Sequence, residues 1–352
     1  MCEVIAAAFQ QAAPNVVVDQ IPLADGGEGT VDAFLAAVGG RRITKQVTGP
    51  YGESQFADYA LLPDGTAVIE MAAAAGLLLV GEDRRTEDAT TYGVGELLCS
   101  AAHDGAHRIV VAIGGSATTD GGCGAAAACG VRFRQADGRE FVPTGATLPQ
   151  IASIDTSGLD LQVAAATITV MCDVDNPLTG PSGAAAVFGP QKGAGQELVK
   201  ALDEGLVHLA AVVCRDLGID AADEPGAGAA GGLGFGLLAF LGAKLRPGID
   251  VVLDATDFDR RVTGAAAIIT GEGSFDAQSA RGKVVAGVAR RAGRVPVHVI
   301  AGRVETGAAE TIPGVVSATA ITPPGQDEAA ALTNAEANLS RAARELAAQV
   351  LT

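Results

Sequence analysis

Three apolar runs in this chain each empty straight into a glycine-rich loop, and few folds accommodate that junction repeated. Ile109-Val110-Val111-Ala112-Ile113 leads into Gly114-Gly115-Ser116, Ile168-Thr169-Val170-Met171-Cys172 into Asp173-Val174-Asp175-Asn176-Pro177, and Ala266-Ala267-Ile268-Ile269-Thr270 into Gly271-Glu272-Gly273. Unbroken apolar runs of this length suit strands buried on both faces, the pattern of a parallel sheet covered by helices. Where such strands end in glycine loops, α/β proteins place their ligands. The expected class is therefore α/β.

The rest of the chain gives that class its order. A helix is expected from Val4 to Ala13, a strand over Val16–Ile21, a glycine-rich turn, and a helix over Thr30–Val38. Strands at Ile43–Val47, Phe56–Leu62 and Ala67–Met71 are separated by Gly49-Pro50-Tyr51-Gly52 and Pro63-Asp64-Gly65, so hairpins and a change of architecture are expected near residue 43. Helix resumes at Tyr92, and small residues form another over Cys123–Cys129. Strands follow at Val295–Ala301 and Val315–Ile321, then a long helix over Asp327–Val350. The Gly/Ala tract at 226–236 reads as a low-complexity linker. A length of 352 residues suits about two domains.

Charge and cysteine usage narrow the partners. A formal net charge of -17 repels a phosphate backbone, so nucleic acid is not an expected partner. No apolar run reaches the ~18 residues of a membrane helix, and no basic leader precedes one, so no membrane is expected either. Six cysteines without a CxxC pair argue against a zinc framework and for a reduced setting. The expectation is a soluble, cytoplasmic protein.

Five glycine loops also carry acids, amides, hydroxyls or lysines: residues 23–30, 114–122, 173–180, 189–193 and 271–283. Small residues let amides approach an anion, hydroxyls add donors, and carboxylates hold a divalent metal, so together they describe phosphoryl transfer. Gly114–Gly122 stands out, with three hydroxyls and one Asp after a buried strand. Bland readings stand beside these: Asp25, Glu28 and Asp120 as caps, Lys192 and Lys283 as solvated lysines. The P-loop and protein-kinase signatures are absent, and Gly226-Ala227-Gly228-Ala229-Ala230-Gly231 matches GxGxxG without a preceding strand. His103 and His107 lack the HExxH glutamate, and Cys123 is expected to be a small core residue.

At the level of whole motifs the chain resembles the bacterial glycerate kinase family, the class with its own two-domain fold. The matching stretches are PLADGGEGT (22–30), TGPYG (48–52), VIEMAAAAGL (68–77), TTYGVGELL (90–98), AIGGSATTDGGCGAAAACG (112–130), CDVDNPLTGPSGAAAVFGPQKGA (172–194), PGAGAAGGLGFGLLAFLGAKLRPG (225–248) and TGEGSFDAQSARGKVVAGVA (270–289). The resemblance implies a flavodoxin-like α/β domain, here residues 1–42 and 252–352, and an inserted α/β domain with a mixed sheet, residues 43–251. It implies phosphorylation of D-glycerate by ATP with Mg²⁺. A homodimer is a separate expectation. Family members open on a strand and loop reading approximately IAPDSFKGSLSA, which has no counterpart here, so a start assigned too far downstream is expected. The alternative is a non-catalytic glycerate-binding paralogue or sensor.

Phosphoryl transfer asks for positioning and charge neutralisation rather than covalent help. Gly114, Gly115, Ser116, Thr118, Thr119, Asp120 and Lys192 are the expected ATP-binding residues. Asp25, Asp173, Glu272 and Lys283 are the expected catalytic residues, with Asp173 and Glu272 as Mg²⁺ ligands. Gly26, Gly27, Glu28, Asn176 and Arg281 are the expected glycerate contacts.

Overall fold

The computed structural model describes residues 1–24, 26–276, 279, 284–323 and 325–351. Asp25, Arg281 and Lys283, all expected at the site, lie outside the described residues. The chain divides into two compact units, Met1–Asp25 with Ile249–Thr352, and Gly26–Gly248. The sequence places the boundaries at 42/43 and 251/252 instead. Residues 26–42 fall with the second unit because the helix Thr30–Val38 packs on its sheet, where the Val31 amide donates to Glu70 Oε1 at 2.6 Å.

In the Gly26–Gly248 unit, β1 (Arg41–Thr48), β2 (Ser54–Leu61) and β3 (Thr66–Glu70) form the expected antiparallel meander. The strand β4 (Arg108–Ala112) then pairs in parallel with β3. Three short strands, β5 (Arg132–Arg134), β6 (Glu140–Phe141) and β7 (Ser153–Asp155), make a small separate sheet. The main sheet is completed by β8 (Thr167–Met171) and β9 (Lys244–Arg246), in the order β1-β2-β3-β4-β8-β9. One face is covered by the helix Tyr92–His103, whose Val94, Leu97, Leu98 and Ala101 meet Ile69, Ile109 and Val111 of the strands. Burying such a side chain contributes about 1.5–3 kcal/mol, which is why Ile109–Ala112 of β4 carry no polar residue.

The Gly/Ala tract is a correction to the expected linker. The stretch Ala229–Leu241 is helical apart from a left-handed kink at Ala230, Gly231 and Gly232, and it is largely embedded, with Leu233, Phe235 and Leu237 fully buried. Glycine here serves close packing: a Cβ on Gly236 would fall 2.6 Å from Gly121 O, and one on Gly231 only 1.9 Å from Thr118 O.

In the other unit, β10 (Ile268–Thr270), β12 (Val297–Ala301) and β14 (Val315–Ala320) form a parallel sheet. Between them come β11 (Ser274–Phe275) and β13 (Arg303–Val304), paired with each other. The helices Cys2–Ala12 and Ala335–Val350 pack together through Ile5, Phe9, Leu339, Ala343 and Leu346. Two expectations fail here. Val16–Ile21 forms no strand; its residues stay unladdered and, with β10, line a groove of about 670 Å³ among Ile5, Phe9 and Val288. The single helix over Asp327–Val350 is two, Glu328–Thr333 and Ala335–Val350, broken at Asn334, whose Nδ2 bonds the Ala330 carbonyl.

Candidate active site

The strands β4 and β8 run parallel, so the loops that follow them leave from the same edge of the sheet. The loop after β4 turns at Gly115, which has a φ of +72°. Its neighbour Gly114 donates to Gly26 O at 3.1 Å, and a Cβ there would lie 2.9 Å from Gly27 Cα. Gly26 in turn has a φ of +92° and would meet Met171 Cβ at 3.2 Å. Residues 26–28, 114–116 and the end of β8 are therefore packed backbone against backbone. That approach explains why these positions are glycine.

Beyond Gly115 the chain goes inward. The Ala117 amide bonds Ala75 O at 2.9 Å, and the Gly115 carbonyl accepts from Leu77 at 2.8 Å, which clamps the loop on both sides. Among the described residues, no hydrogen bond within the fold takes the amides of Gly115, Ser116, Thr118 or Thr119. The Thr118 hydroxyl is buried and likewise without a partner, whereas Thr119 Oγ1 is 2.7 Å from Thr86 Oγ1. Unspent amides gathered in a glycine loop form an anion-binding concavity.

Asp120 faces the other way. It is fully buried, and its carboxylate accepts from the Thr91 amide and hydroxyl, both at 2.8 Å, and from the amides of Gly122 and Gly124 at 3.1 and 3.2 Å. Burial pushes its carboxyl upward while these donors pull it back. Its observed contacts are thus those of a brace inside the loop. Thr91 is not among the expected site residues, although it lies in the matching stretch TTYGVGELL (90–98).

Lys192 stands in the short turn Pro190–Lys192 and is 1% exposed, so it is not a solvated lysine. Its Nζ donates to Ser116 Oγ and to Thr118 O, each at 2.7 Å. Asn176 bonds Ser182 O through Nδ2 at 2.7 Å, and its carbonyl accepts from Gly228. Asp173 is exposed, and its Oδ1 accepts from the Gly248 amide at 2.8 Å. Glu28 is exposed, with its carboxylate beside Gly115. The expected residues 26–28, 114–120, 173–176 and 192 thus belong to one unit. Glu272 belongs to the other, following β10 through Gly271, where a Cβ would fall 1.9 Å from Ile300 O. Of the bland candidates, His103 bonds Asp160 at 3.0 Å and Cys123 is fully buried, consistent with structural roles.

Comparison with known proteins bears on family and fold. The model of the glycerate kinase family matches residues 1–351. The chain belongs to the glycerate kinase family. A glycerate kinase of Bacillus subtilis (strain 168) is 45% identical over 99% of this chain and 92% of its own length. The glycerate 2-kinase of Escherichia coli (strain K12) is 45% identical over 86% of this chain and 80% of its own. A crystal structure assigned provisionally as glycerate kinase 2, from Salmonella typhimurium LT2, superposes with a TM-score of 0.89 at 44% identity, covering 99% of this chain and 92% of that one. The α/β architecture of both units is that of a glycerate kinase family member. Among the described residues, no helix is long and apolar enough to cross a membrane.

Proposed function

We propose that this chain transfers the γ-phosphoryl group of ATP to D-glycerate, giving phosphoglycerate. The observation that carries the proposal is the set of unspent amides of Gly115, Ser116, Thr118 and Thr119 in a loop backed by the buried Lys192. Family membership over residues 1–351 supports the substrate. No observation favours the non-catalytic alternative.

The loop fits a nucleotide phosphate on two grounds: Thr118 Oγ1 is an orphaned buried hydroxyl, and no hydrogen bond among the described residues takes the amides of Gly115, Ser116, Thr118 and Thr119. In this reading the amides of Gly115, Ser116, Thr118 and Thr119 hold phosphate oxygens, Lys192 counters their charge from behind, and Asp120 keeps the loop shaped. Gly26, Gly27, Glu28 and Asn176 border the glycerate. Arg281 pairs with its carboxylate, because a guanidinium fork matches that group. Asp25, Asp173 or Glu272 accepts the hydroxyl proton, and Lys283 offsets charge as it develops.

Mg²⁺ would screen the phosphate charges when bound. Among the described residues, no group of three or more His, Cys, Asp and Glu side chains is arranged to hold a metal. An ion carried by the nucleotide takes only one or two protein carboxylates, and Asp173 and Glu272 are the candidates for that role. A homodimer is part of the same proposal.

Incubating the purified chain with ATP, Mg²⁺ and D-glycerate tests this reading. ADP release that depends on D-glycerate, with phosphoglycerate seen by mass spectrometry, is the expected result. ATP binding without phosphoglycerate would instead favour the sensor.

A further inference from the structure

Lys192 occupies a place where a lysine is expensive. The turn that carries it is pinned from both sides: its amide bonds Gly189 O at 2.9 Å, and Arg84 Nη1 donates to Gln191 O at 2.7 Å. Gly193, with a φ of +95°, backs so closely onto Arg84 that a Cβ would lie 2.5 Å from its carbonyl. The side chain is thereby directed under the Gly114–Gly122 loop. Two of the three ammonium donors reach Ser116 Oγ and Thr118 O, and the third has no partner among the described residues. Thr118 Oγ1 is buried and unpartnered in the same loop.

No carboxylate forms an ion pair with this ammonium among the described residues. Asp120 acts on it through space, but its oxygens are engaged by Thr91, Gly122 and Gly124. Glu28 lies beside Gly115 on the exposed side of the loop, and Arg84 holds the outer side of the turn. The neighbouring helix Ala184–Phe188 carries no charge. Desolvation lowers the Lys192 pKa to about 7, against the upward pull of Asp120. Ordinary physiological pH therefore divides the residue between its charged and neutral forms.

Building on the kinase reading, we propose that Lys192 is a positioning residue that becomes protonated as a polyphosphate settles on the loop, holding Ser116 and Thr118 from behind so that the free amides converge. The proton comes from the medium, and no covalent bond is made. A phosphate adds the counter-charge that the pocket lacks, so binding and protonation favour each other equally.

Calorimetric titration with ATP alone, without glycerate, tests this in the unmodified protein. Affinity should fall roughly fivefold to tenfold between about pH 6.5 and about pH 9, the linkage for a ligand that raises this pKa by about one unit. Near pH 7.5, buffers of different ionisation heat should report uptake of about half a proton. Lys192→Arg, charged throughout, should lose the uptake and the pH step; its residual slope corrects for the nucleotide's own titration. Lys192→Met should bind weakly at every pH, with KM for ATP raised more than kcat is lowered. Turnover of D-glycerate by an unmodified protein with a flat profile and no proton uptake overturns this inference alone. Binding with the pH step but without phosphoglycerate overturns the glycerate reading and supports Lys192. Absence of ATP binding overturns both.

Discussion

The carboxylate of Asp120 lies 2.8 Å from both the amide and the hydroxyl of Thr91, 29 positions earlier in the chain. Thr91 Oγ1 also accepts from the Ala125 amide at 2.9 Å, so one threonine ties the start of the helix Tyr92–His103 to the helix Cys123–Ala128. The shape of the glycine loop is thus fixed at its far end by a fully buried charge.

Replacing Asp120 with Ala should therefore act first on folding. Four donors would lose their acceptor, and leaving such groups buried and unpaired costs roughly 2–4 kcal/mol in all. For a domain of about 200 residues this corresponds to a fall in Tm of about 5–15 °C. Differential scanning calorimetry checks it. An unchanged Tm with lost turnover would place Asp120 at the substrate rather than behind the loop.

Glycine substitutions should divide by what a Cβ would meet. Gly29, with a φ of +87° and open space around it, should cost roughly 1–2 kcal/mol when changed to Ala, the backbone term alone. Gly231 combines a φ of +68° with a Cβ position 1.9 Å from Thr118 O. Gly231→Ala should cost roughly 3 kcal/mol or more and displace Thr118, raising KM for ATP as well. Urea denaturation of the two variants gives the comparison.

Stability should depend on pH through Lys192 with a sign opposite to that of binding. Its folded pKa, about 7, lies below the unfolded value of about 10.4, so the unfolded chain holds more protons between them. The protein should gain stability as pH rises from about 7 toward 10, and the burial cost should be full below about 7. Lys192→Met removes this term. Its stability relative to the unmodified protein should be greatest in mild acid and should narrow with rising pH, as read by denaturant midpoints.

These effects show why parts of the molecule were legible in the sequence and others were not. The strand β4 is legible because Ile109–Ala112 are all buried and leave no polar position, and its glycine loop follows directly. The burial of Lys192 is not readable from the sequence, because nothing in Pro190-Gln191-Lys192 shows that Arg84 and Gly193 turn the side chain inward. The Gly/Ala tract misled for a related reason: flexible composition and close packing both select small residues, and only the facing backbone of residues 118–122 separates them. Val16–Ile21 has strand composition, yet a strand is defined by a partner that local pattern does not supply.

The hydroxyl of Thr118 offers the cleanest separation of binding from folding. It is buried and makes no hydrogen bond among the described residues, so it contributes nothing to holding the fold and carries a desolvation cost of about 1–3 kcal/mol. Thr118→Val keeps the shape and removes the oxygen. Stability should hold or rise by about 1 kcal/mol, because the unpaired group is gone. If the hydroxyl donates to a nucleotide phosphate, the same change should raise KM for ATP about tenfold, the worth of one hydrogen bond to a charged group. The Thr118 carbonyl, which accepts from Lys192, is untouched by the substitution, so the pH step in ATP binding should persist. Thermal melting, KM and the pH profile of this one variant decide the point. A lower Tm with an unchanged KM would assign the hydroxyl to the fold and remove it from the phosphate site.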